Sequence, residues 1–438
     1  MTCMKTIKLL FFWGWRNVIR YRKRTIQTFL VLFLGTLSII IVDSFMQGYR
    51  ESSVRRIVLE EGHLDIHGRG YLESAGGMPL DKTVRDLGAL SAKISSASEP
   101  VLIPGTSMIL APCIETGCLI SDGNASRAAM VLATDFVSAS SDGVLCANPL
   151  LENVSNSLIE GRFPESGDRS VAIIDEKIAS KLNIATGNEV ILSGSDAFGS
   201  FSMTSAVVIG IVHEDSLPGE FGCVTDIATF APAFGLDDQC TKLIGWVCGP
   251  DGSVLPSGSA GEAVYSAVQN AIGTDERYEA RPFPEISAGY DTMFDFLNFF
   301  LSGMLGVFAI VAIVGITNAI LLSVQDRVRD LGTLRAIAVT SGQASALIYI
   351  ETLITGCLAS ACAFAVGALT IGILVKTGIG IRFELSDIGS ALPDMLKPAF
   401  YPLRTVSFAV FSAVFPLAAA VLPARSAGKL TIQECLAS

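Results

Sequence analysis

Histidine is almost absent from this sequence, with three residues in 438, and that scarcity removes several chemistries. His63 and His67 stand four apart, a spacing that would suit a metal on a helix. The stretch His63-Leu64-Asp65-Ile66-His67 instead alternates like a strand with Leu64 and Ile66 on one face, which predicts a solvated strand edge and no metal site. His213 has no assignable partner and Gly-x-Ser-x-Gly does not occur, which excludes a serine-nucleophile hydrolase. The only Gly-Lys pair, Gly428-Lys429, is followed by Leu430, with Pro423 where a phosphate-cradling loop needs its first glycine, so no ATP site is expected. No catalytic residue and no metal ligand is assigned. Charge is scarce as well, at 17% of residues against 50% hydrophobic, and the mean hydropathy is +0.52. That is too apolar for an ordinary soluble protein and too polar for one embedded throughout, which implies a membrane protein with a large wet domain. A net charge of −11 gives no basic footprint for nucleic acid.

Four apolar runs can cross a hydrocarbon layer about 30 Å thick: Ile26 to Val42, Phe296 to Val324, Ala344 to Val375 and Val406 to Leu422. Lys5, Lys8, Arg16, Arg20, Arg22, Lys23 and Arg24 precede the first run with no acidic residue among them, which places the N-terminus in the cytoplasm. Four crossings return Arg425 and Lys429 to the same side. No small-x-small cleavage site follows Ile41, so the first run reads as an uncleaved anchor. Met4 to Arg24 mixes aromatics with cations, as in a helix lying in the inner interface, although a cytosolic extension of the first span fits equally. The intervals are a cytoplasmic segment 1–24, spans 25–47, 291–324, 342–376 and 404–422, an outer domain 48–290, a cytoplasmic helix 325–341, an outer loop 377–403 and a cytoplasmic tail 423–438. The apolar runs from Phe296, Ala344 and Val406 hold no His and no Asp pair, which argues against an intramembrane protease.

The gap from Asp43 to Tyr290 carries 33 acidic and 15 basic residues, so the acidity of the chain belongs to the outer domain. Strands are predicted at Val101 to Leu110, Ala128 to Phe136, Ser170 to Asp175, Glu189 to Gly194 and Ser205 to Val212. Helices are predicted at Glu176 to Ile184 and Ala263 to Gly273, making the domain mixed α and β. Gly249 to Glu262 reads as an exposed loop or a joint within the fold. Cys113, Cys118, Cys146, Cys223, Cys240 and Cys248 lie in this domain as paired disulfides or as buried thiols.

The one charged stretch among the later spans is SVQDRVRDLGTLRAIAV, Ser323 to Val339. Val324, Val328, Leu331, Leu334 and Ala338 recur every three or four residues, which predicts an amphipathic helix with its arginines facing elsewhere. Thr340-Ser341-Gly342-Gln343 has capping-box form and should start a new helix at Ser341. In the span that follows, Gly356, Ala359, Ala363 and Gly367 form a small-residue face for close helix packing, or simply fill a bundle. Glu351 lies about two turns in, shallow enough for a structural role at the interface.

Asn318 to Gly356, NAILLSVQDRVRDLGTLRAIAVTSGQASALIYIETLITG, resembles the FtsX-like (type VII) permease family of ABC transporters. The matching positions are Asn318, Ser323, Val324, Arg327, Arg329, Gly332, Leu334, Arg335, Ala336, Ile337 and Glu351, with Asp326 and Asp330 where Glu is usual. Leu422 to Ser438 is similar to the closing segment of the family, and Glu160 to Gly194 to its MacB-like periplasmic core. The layout resembles most the transmembrane subunit of the lipoprotein-releasing system, and Gly62-His63-Leu64-Asp65-Ile66 is similar to the Gly-His-Ile-x-Ile of such permeases.

The resemblance implies four transmembrane helices with a large mixed α/β extracytoplasmic domain of the MacB-like core type between helices 1 and 2. It implies an inner-membrane subunit that pairs with a second permease, identical or different, and with a separate cytoplasmic ABC ATPase. ATP and Mg would be held by that ATPase, leaving no cofactor in this chain. The implied ATPase contacts are Asp326, Arg327, Arg329, Asp330, Leu334 and Arg335, and the implied coupling elbow is Asn318 with Glu351. The function implied first is extraction of lipoproteins for delivery to a periplasmic carrier. The alternatives are efflux of a drug, peptide or toxin, and cargo-free regulation of a cell-wall hydrolase.

Overall fold

The structure is a computed structural model and describes residues 2–20, 22–73, 79–141, 145–165, 167–213, 216–219, 221–273, 275–325, 328, 333, 340–382 and 395–429. The chain divides into two compact units. One comprises Met1–Glu51, Met293–Phe383 and Met395–Ser438, and the other Ser52–Thr292 with Glu384–Asp394.

The first unit is helical. Helix α1 spans Thr2–Arg20 and α2 spans Arg22–Glu61. The basic N-terminal segment is helical, with Phe11, Phe12, Trp15 and Ile19 exposed. Helix α2 continues well beyond the interval 25–47 expected from hydropathy, because Asp43 to Glu61 contains no proline and buries Ile57, Val58 and Leu59. At about 1.5 Å per residue its 40 residues reach roughly 60 Å, twice a hydrocarbon layer. Four stretches are long and apolar enough to cross a membrane: Thr25–Glu61, Ala288–Leu322, Ser341–Thr377 and Pro402–Ser426.

The fourth stretch is built from two helices, Pro402–Val414 and Pro416–Lys429, because the ring of Pro416 cannot continue the backbone ladder. The third stretch begins as the sequence requires. Thr340 Oγ1 accepts from the Gln343 N–H at 3.4 Å and Gln343 Oε1 accepts from the Thr340 N–H at 3.0 Å, closing a capping box at Ser341. Ile316, Ile320, Ala344, Ala359, Ala419 and Ala424 form the interior of this unit.

The second unit is built on a ten-stranded sheet. Its strands are β1 (Leu64–Gly68), β3 (Ser107–Ser121), β4 (Ser126–Thr134), β7 (Leu158–Gly161), β8 (Val171–Asp175), β9 (Glu189–Ser195), β10 (Phe201–Val212), β11 (Phe221–Asp226), β13 (Lys242–Cys248) and β14 (Tyr278–Pro282). The order is β14-β1-β13-β3-β4-β11-β8-β10-β7, with β9 pairing β10 and β3. Short strands β2 (Val84–Arg85) and β12 (Gln239–Cys240) pair with each other, as do β5 (Val137–Ala139) and β6 (Leu145–Ala147). Helices α3 (Leu87–Ser98), α4 (Glu152–Asn156), α5 (Glu176–Leu182), α6 (Ile227–Ala233) and α7 (Ser259–Ile272) complete the unit.

Alternation divides the core between the two sheet faces. In β13, Leu243 and Val247 join Ile66, Ile94, Phe230 and Val264, while Ile244 and Trp246 join Ile109, Leu132 and Ile173. The predicted strand at Val101 to Leu110 begins only at Ser107, since Glu99–Val101 form a 3₁₀ turn and Pro104-Gly105 interrupts the extended run. Gly249 to Gly258 is a loop within this one unit, not a joint between two, because the sheet is continuous on both sides of it. The six cysteines of the unit are free thiols, five of them buried.

Candidate functional site

The contacts assigned to Asp326, Arg327, Arg329, Asp330, Leu334 and Arg335 lie outside the described residues. Their flanks are described. Helix α8 (Phe283–Ile286) leads into α9 (Ala288–Gln325), where Asn318 is exposed; α10 spans Ser341–Thr377, and α11 and α12 are Pro402–Val414 and Pro416–Lys429.

Glu351 on α10 accepts from Asn17 Nδ2 on α1 at 2.6 Å. Gly14 lets the two helices approach closely, for a Cβ there would sit 2.8 Å from Ile350 Cγ2. The carboxylate therefore secures the basic helix to the third apolar helix. Glu351→Leu should remove a charged hydrogen bond, worth about 1.5–3 kcal/mol, and free α1. Tryptic cleavage between Arg20 and Arg24 in the membrane-bound protein should then rise by roughly tenfold or more, while Glu351→Gln, which keeps the acceptor, should stay near wild type.

Gly356, Ala359, Ala363 and Gly367 are all buried in α10. A Cβ on Gly356 would lie 2.7 Å from the Ala413 carbonyl oxygen of α11, and one on Gly367 would lie 3.0 Å from Ile40 Cγ2 of α2. The stripe thus seats two other helices of this same chain.

The most developed polar constellation lies in the other unit, where α2 ends and the sheet begins. Gly62 closes the helix in the left-handed region at φ 77°, its N–H donating to the Val58 carbonyl at 2.9 Å. A Cβ at Gly62 would meet Ile244 Cγ2 at 2.5 Å and the Gly245 carbonyl oxygen at 2.8 Å, so only glycine fits. Trp246, fully buried on β13, donates from Nε1 to the carbonyls of Val58 and Leu59 at 2.8 and 3.1 Å, adding a second donor to the Val58 carbonyl that Gly62 already caps. Lys242 Nζ donates to Glu61 and lies 3.7 Å from Glu115. Burial alone would drive this amine toward neutrality, but Glu115, Glu61 and Asp65 outweigh it and hold the lysine above its ordinary range.

Strand β1 follows at once and pairs with β14, the strand that leads into α8 and α9: Leu64 with Pro282, Asp65 with Arg281, Ile66 with Ala280, His67 with Glu279 and Gly68 with Tyr278. Across this pair Arg281 forks onto Asp65, Nε to Oδ1 at 3.1 Å and Nη2 to Oδ2 at 2.5 Å. His67 Nε2 lies 2.9 Å from Asp65 Oδ2, and its ring stacks on Tyr71 at 4.9 Å. Burial would raise the Asp65 pKa, yet His67, Arg281 and Lys242 together hold it below the usual carboxylate value. His63 Nδ1 accepts from the Val247 N–H at 3.2 Å, and burial lowers the pKa of that ring.

These positions correct the solvated-edge expectation. Every residue of β1 is buried, because β14 covers its outer side and β13 its inner side. Each imidazole meets the protein through one nitrogen, His63 through Nδ1 and His67 through Nε2. Sequence reasoning missed Lys242, Trp246 and Arg281 altogether. The available signal was His63, Asp65 and His67 together on the second face of an apolar strand, a pattern that a buried network explains as well as a solvated edge.

Residues 302–432 match the FtsX-like permease C-terminal family. The chain is 27% identical over 179 residues to the uncharacterised ABC transporter permease YknZ of Bacillus subtilis (strain 168), the match covering 41% of each chain. It is 33% identical over 130 residues to the uncharacterised ABC transporter permease protein Rv0987 of Mycobacterium tuberculosis (strain ATCC 25618 / H37Rv), covering 30% of this chain and 14% of that one. The chain thus spans less than half the length of either relative. The extracellular domain of the noncanonic ABC-type transporter YknZ from Gram-positive bacteria superposes with a TM-score of 0.30 at 13% identity, over 50% of this chain and 98% of that domain. A superposition that loose bears on neither fold nor function. The family match runs from within α9 to just past α12, over the helices that flank the charged segment, so the chain carries an FtsX-like permease C-terminal domain over residues 302–432.

Proposed function

We propose that this chain is the force-transmitting permease subunit of an ABC transporter and that its stroke extracts lipoproteins from the inner membrane. A separate cytoplasmic ATPase, holding ATP and Mg, grips the segment around Arg327 and Arg335, and a second permease subunit completes the pore-lining pair. The termini face the cytoplasm and the Ser52–Thr292 unit faces the periplasm, where a carrier receives the cargo. The observation that carries this reading is the β1–β14 pair. The strand that follows α2 and the strand that precedes α9 are registered over five residues and cross-linked by Asp65 and Arg281. A push delivered along either helix meets a two-stranded handle whose shear would break a buried, forked ion pair, so the unit moves as one body rather than peeling open.

The cargo reading rests on the likeness of Gly62-His63-Leu64-Asp65-Ile66 to the motif of lipoprotein-releasing permeases. Arg327→Glu and Arg335→Glu should each lower ATP-dependent release of a lipoprotein from proteoliposomes by about tenfold or more, with expression unchanged, because a reversed charge at a docking site also repels the correct partner. Unimpaired release in both variants would refute the docking assignment. Loss of drug resistance without lipoprotein mislocalisation would replace the cargo.

A further inference from the structure

Within the helical unit, a strap between α10 and α11 grips α2 where its apolar run ends. The strap begins at Met395-Leu396, which pairs with Ile381-Arg382 beyond the end of α10, and it runs into α11 at Pro402. Its contacts follow one side of α2. Arg404 forks onto Asp43, with Nε 3.0 and 3.1 Å from the two carboxylate oxygens and Nη2 2.8 Å from Oδ1. The Ala399 N–H donates to the Ser44 carbonyl at 3.0 Å, and Ser44 Oγ donates back to the Ala399 carbonyl at 2.6 Å. The Tyr401 hydroxyl donates to Glu51 at 3.1 Å.

Gly48 lies buried in the middle of this contact. A Cβ there would overlap the Lys397 carbonyl oxygen and stand 2.9 Å from the Ala399 nitrogen. Both are backbone atoms, which cannot swing aside as the end of a flexible side chain would. The glycine is thus a notch in the helix surface, and the strap lies in it. One turn to either side, α2 carries Ser44, Phe45, Glu51 and Ser52, each with a Cβ, so this stretch of the helix offers no second notch. One turn before Ser44, Ile40 closes on Gly367 of α10, which seats the same stripe a second time.

We propose that the strap indexes α2 against the helical bundle: at this height the helix neither slides along its axis nor turns about it, and any displacement it carries is a tilt or a bend. The consequence for transport rests on the transmission reading above, whereas the indexing itself does not. A slide of one turn, about 5.4 Å, would break the Arg404 fork, both Ser44 bonds and the Tyr401 bond together. It would also bring a Cβ beneath the Lys397 carbonyl. A one-turn ratchet needs two arrangements of similar fit, and α2 has the notch for one. A tilt shared by α2 and α11 keeps every one of these contacts.

Amide hydrogen exchange at Ala399 reads the strap directly, since its N–H has Ser44 as acceptor and Pro398 before it has no N–H. The full chain is measured in lipid nanodiscs, alone and assembled with its ATPase, before and after trapping with ATP and vanadate. Gly48→Ala should raise exchange at Ala399 by about tenfold or more, although alanine favours a helix over glycine. Gly35→Ala, where a Cβ would meet nothing within 4 Å, should leave it unchanged. Trapping should leave Ala399 as protected as it is in the chain alone. The proposal is overturned if Gly48→Ala leaves Ala399 protected, or if trapping raises its exchange as far as that variant does, as a sliding helix would. Trapping that alters exchange nowhere in the chain would count against the transmission reading alone, and the comparison of Gly48→Ala with Gly35→Ala would still decide the indexing.

Discussion

Asp65→Ala is expected to destabilise the Ser52–Thr292 unit by about 3–5 kcal/mol, the range for removing one partner of a buried ion pair. The carboxylate has no solvent exposure, and three groups depend on it: the Arg281 fork, His67 Nε2 and, through its charge, Lys242. Truncation leaves Arg281 half-buried and without the acceptor that fixes its plane. The urea midpoint for alkylation of Cys113 and Cys240, buried thiols that report opening of the sheet, should fall accordingly. Arg281→Ala should do comparable harm from the other side, by leaving a carboxylate in the core.

The double replacement Asp65→Leu with Arg281→Met should recover most of the loss, since an apolar pair of similar volume avoids the desolvation of both charges. A double variant as unstable as the sum of the two singles would show that the residues do not act as a pair. Protonation should mimic the truncation. Because the folded-state pKa of Asp65 is held below its ordinary value, its stabilisation is complete above the unfolded value of about 3.9 and is lost as pH falls through the folded one. Asp65→Asn should lack that part of the acid limb.

The residues of this clamp show where sequence reading succeeds and where it stops. Local chemistry was legible: Thr340 and Gln343 form their capping box three residues apart, and Glu189 to Ser195 is a strand that carries the apolar run Val190, Ile191 and Leu192. Four membrane-length apolar runs were equally plain, since a span is a property of about twenty consecutive residues. Asp65 failed because the meaning of a polar residue on a strand depends on what covers its second face. Its cover is supplied by Arg281, 216 positions away, and by Lys242 of β13. The partner of Glu351 on α1, Asn17, was likewise not legible, because it lies 334 residues away. Helix α2 outruns the apolar run, because hydropathy stops at Val42 while nothing in the backbone does. The Pro416 break shows the converse, an apolar run that hydropathy joins and backbone chemistry divides.

Trp246→Ala should be as damaging as loss of Asp65, by about 3–5 kcal/mol, because it empties the space of a fully buried indole. The more informative variant is Trp246→Phe, which keeps most of the packing but removes the N–H that Val58 and Leu59 share. That should lower stability by only about 1–2 kcal/mol, the cost of losing the indole donor while Val58 keeps the Gly62 N–H. Its effect on transmission should be disproportionate. The final turn of α2 is held to the sheet by Trp246 Nε1, by the Gly62 reversal and by the Lys242–Glu61 contact, and a turn whose acceptors are open frays before it carries load. On the proposed function, Trp246→Phe protein should therefore lose no more stability than that while ATP-driven lipoprotein release drops by about fivefold or more, since a coupling of even 1 kcal/mol shifts an equilibrium by that order. Equal losses in stability and release would reduce Trp246 to a packing residue. A stable variant that releases cargo at the wild-type rate would mean that load enters the sheet elsewhere, and the β14 side, where Arg281 precedes Pro282 and α9, would be the next place to cut.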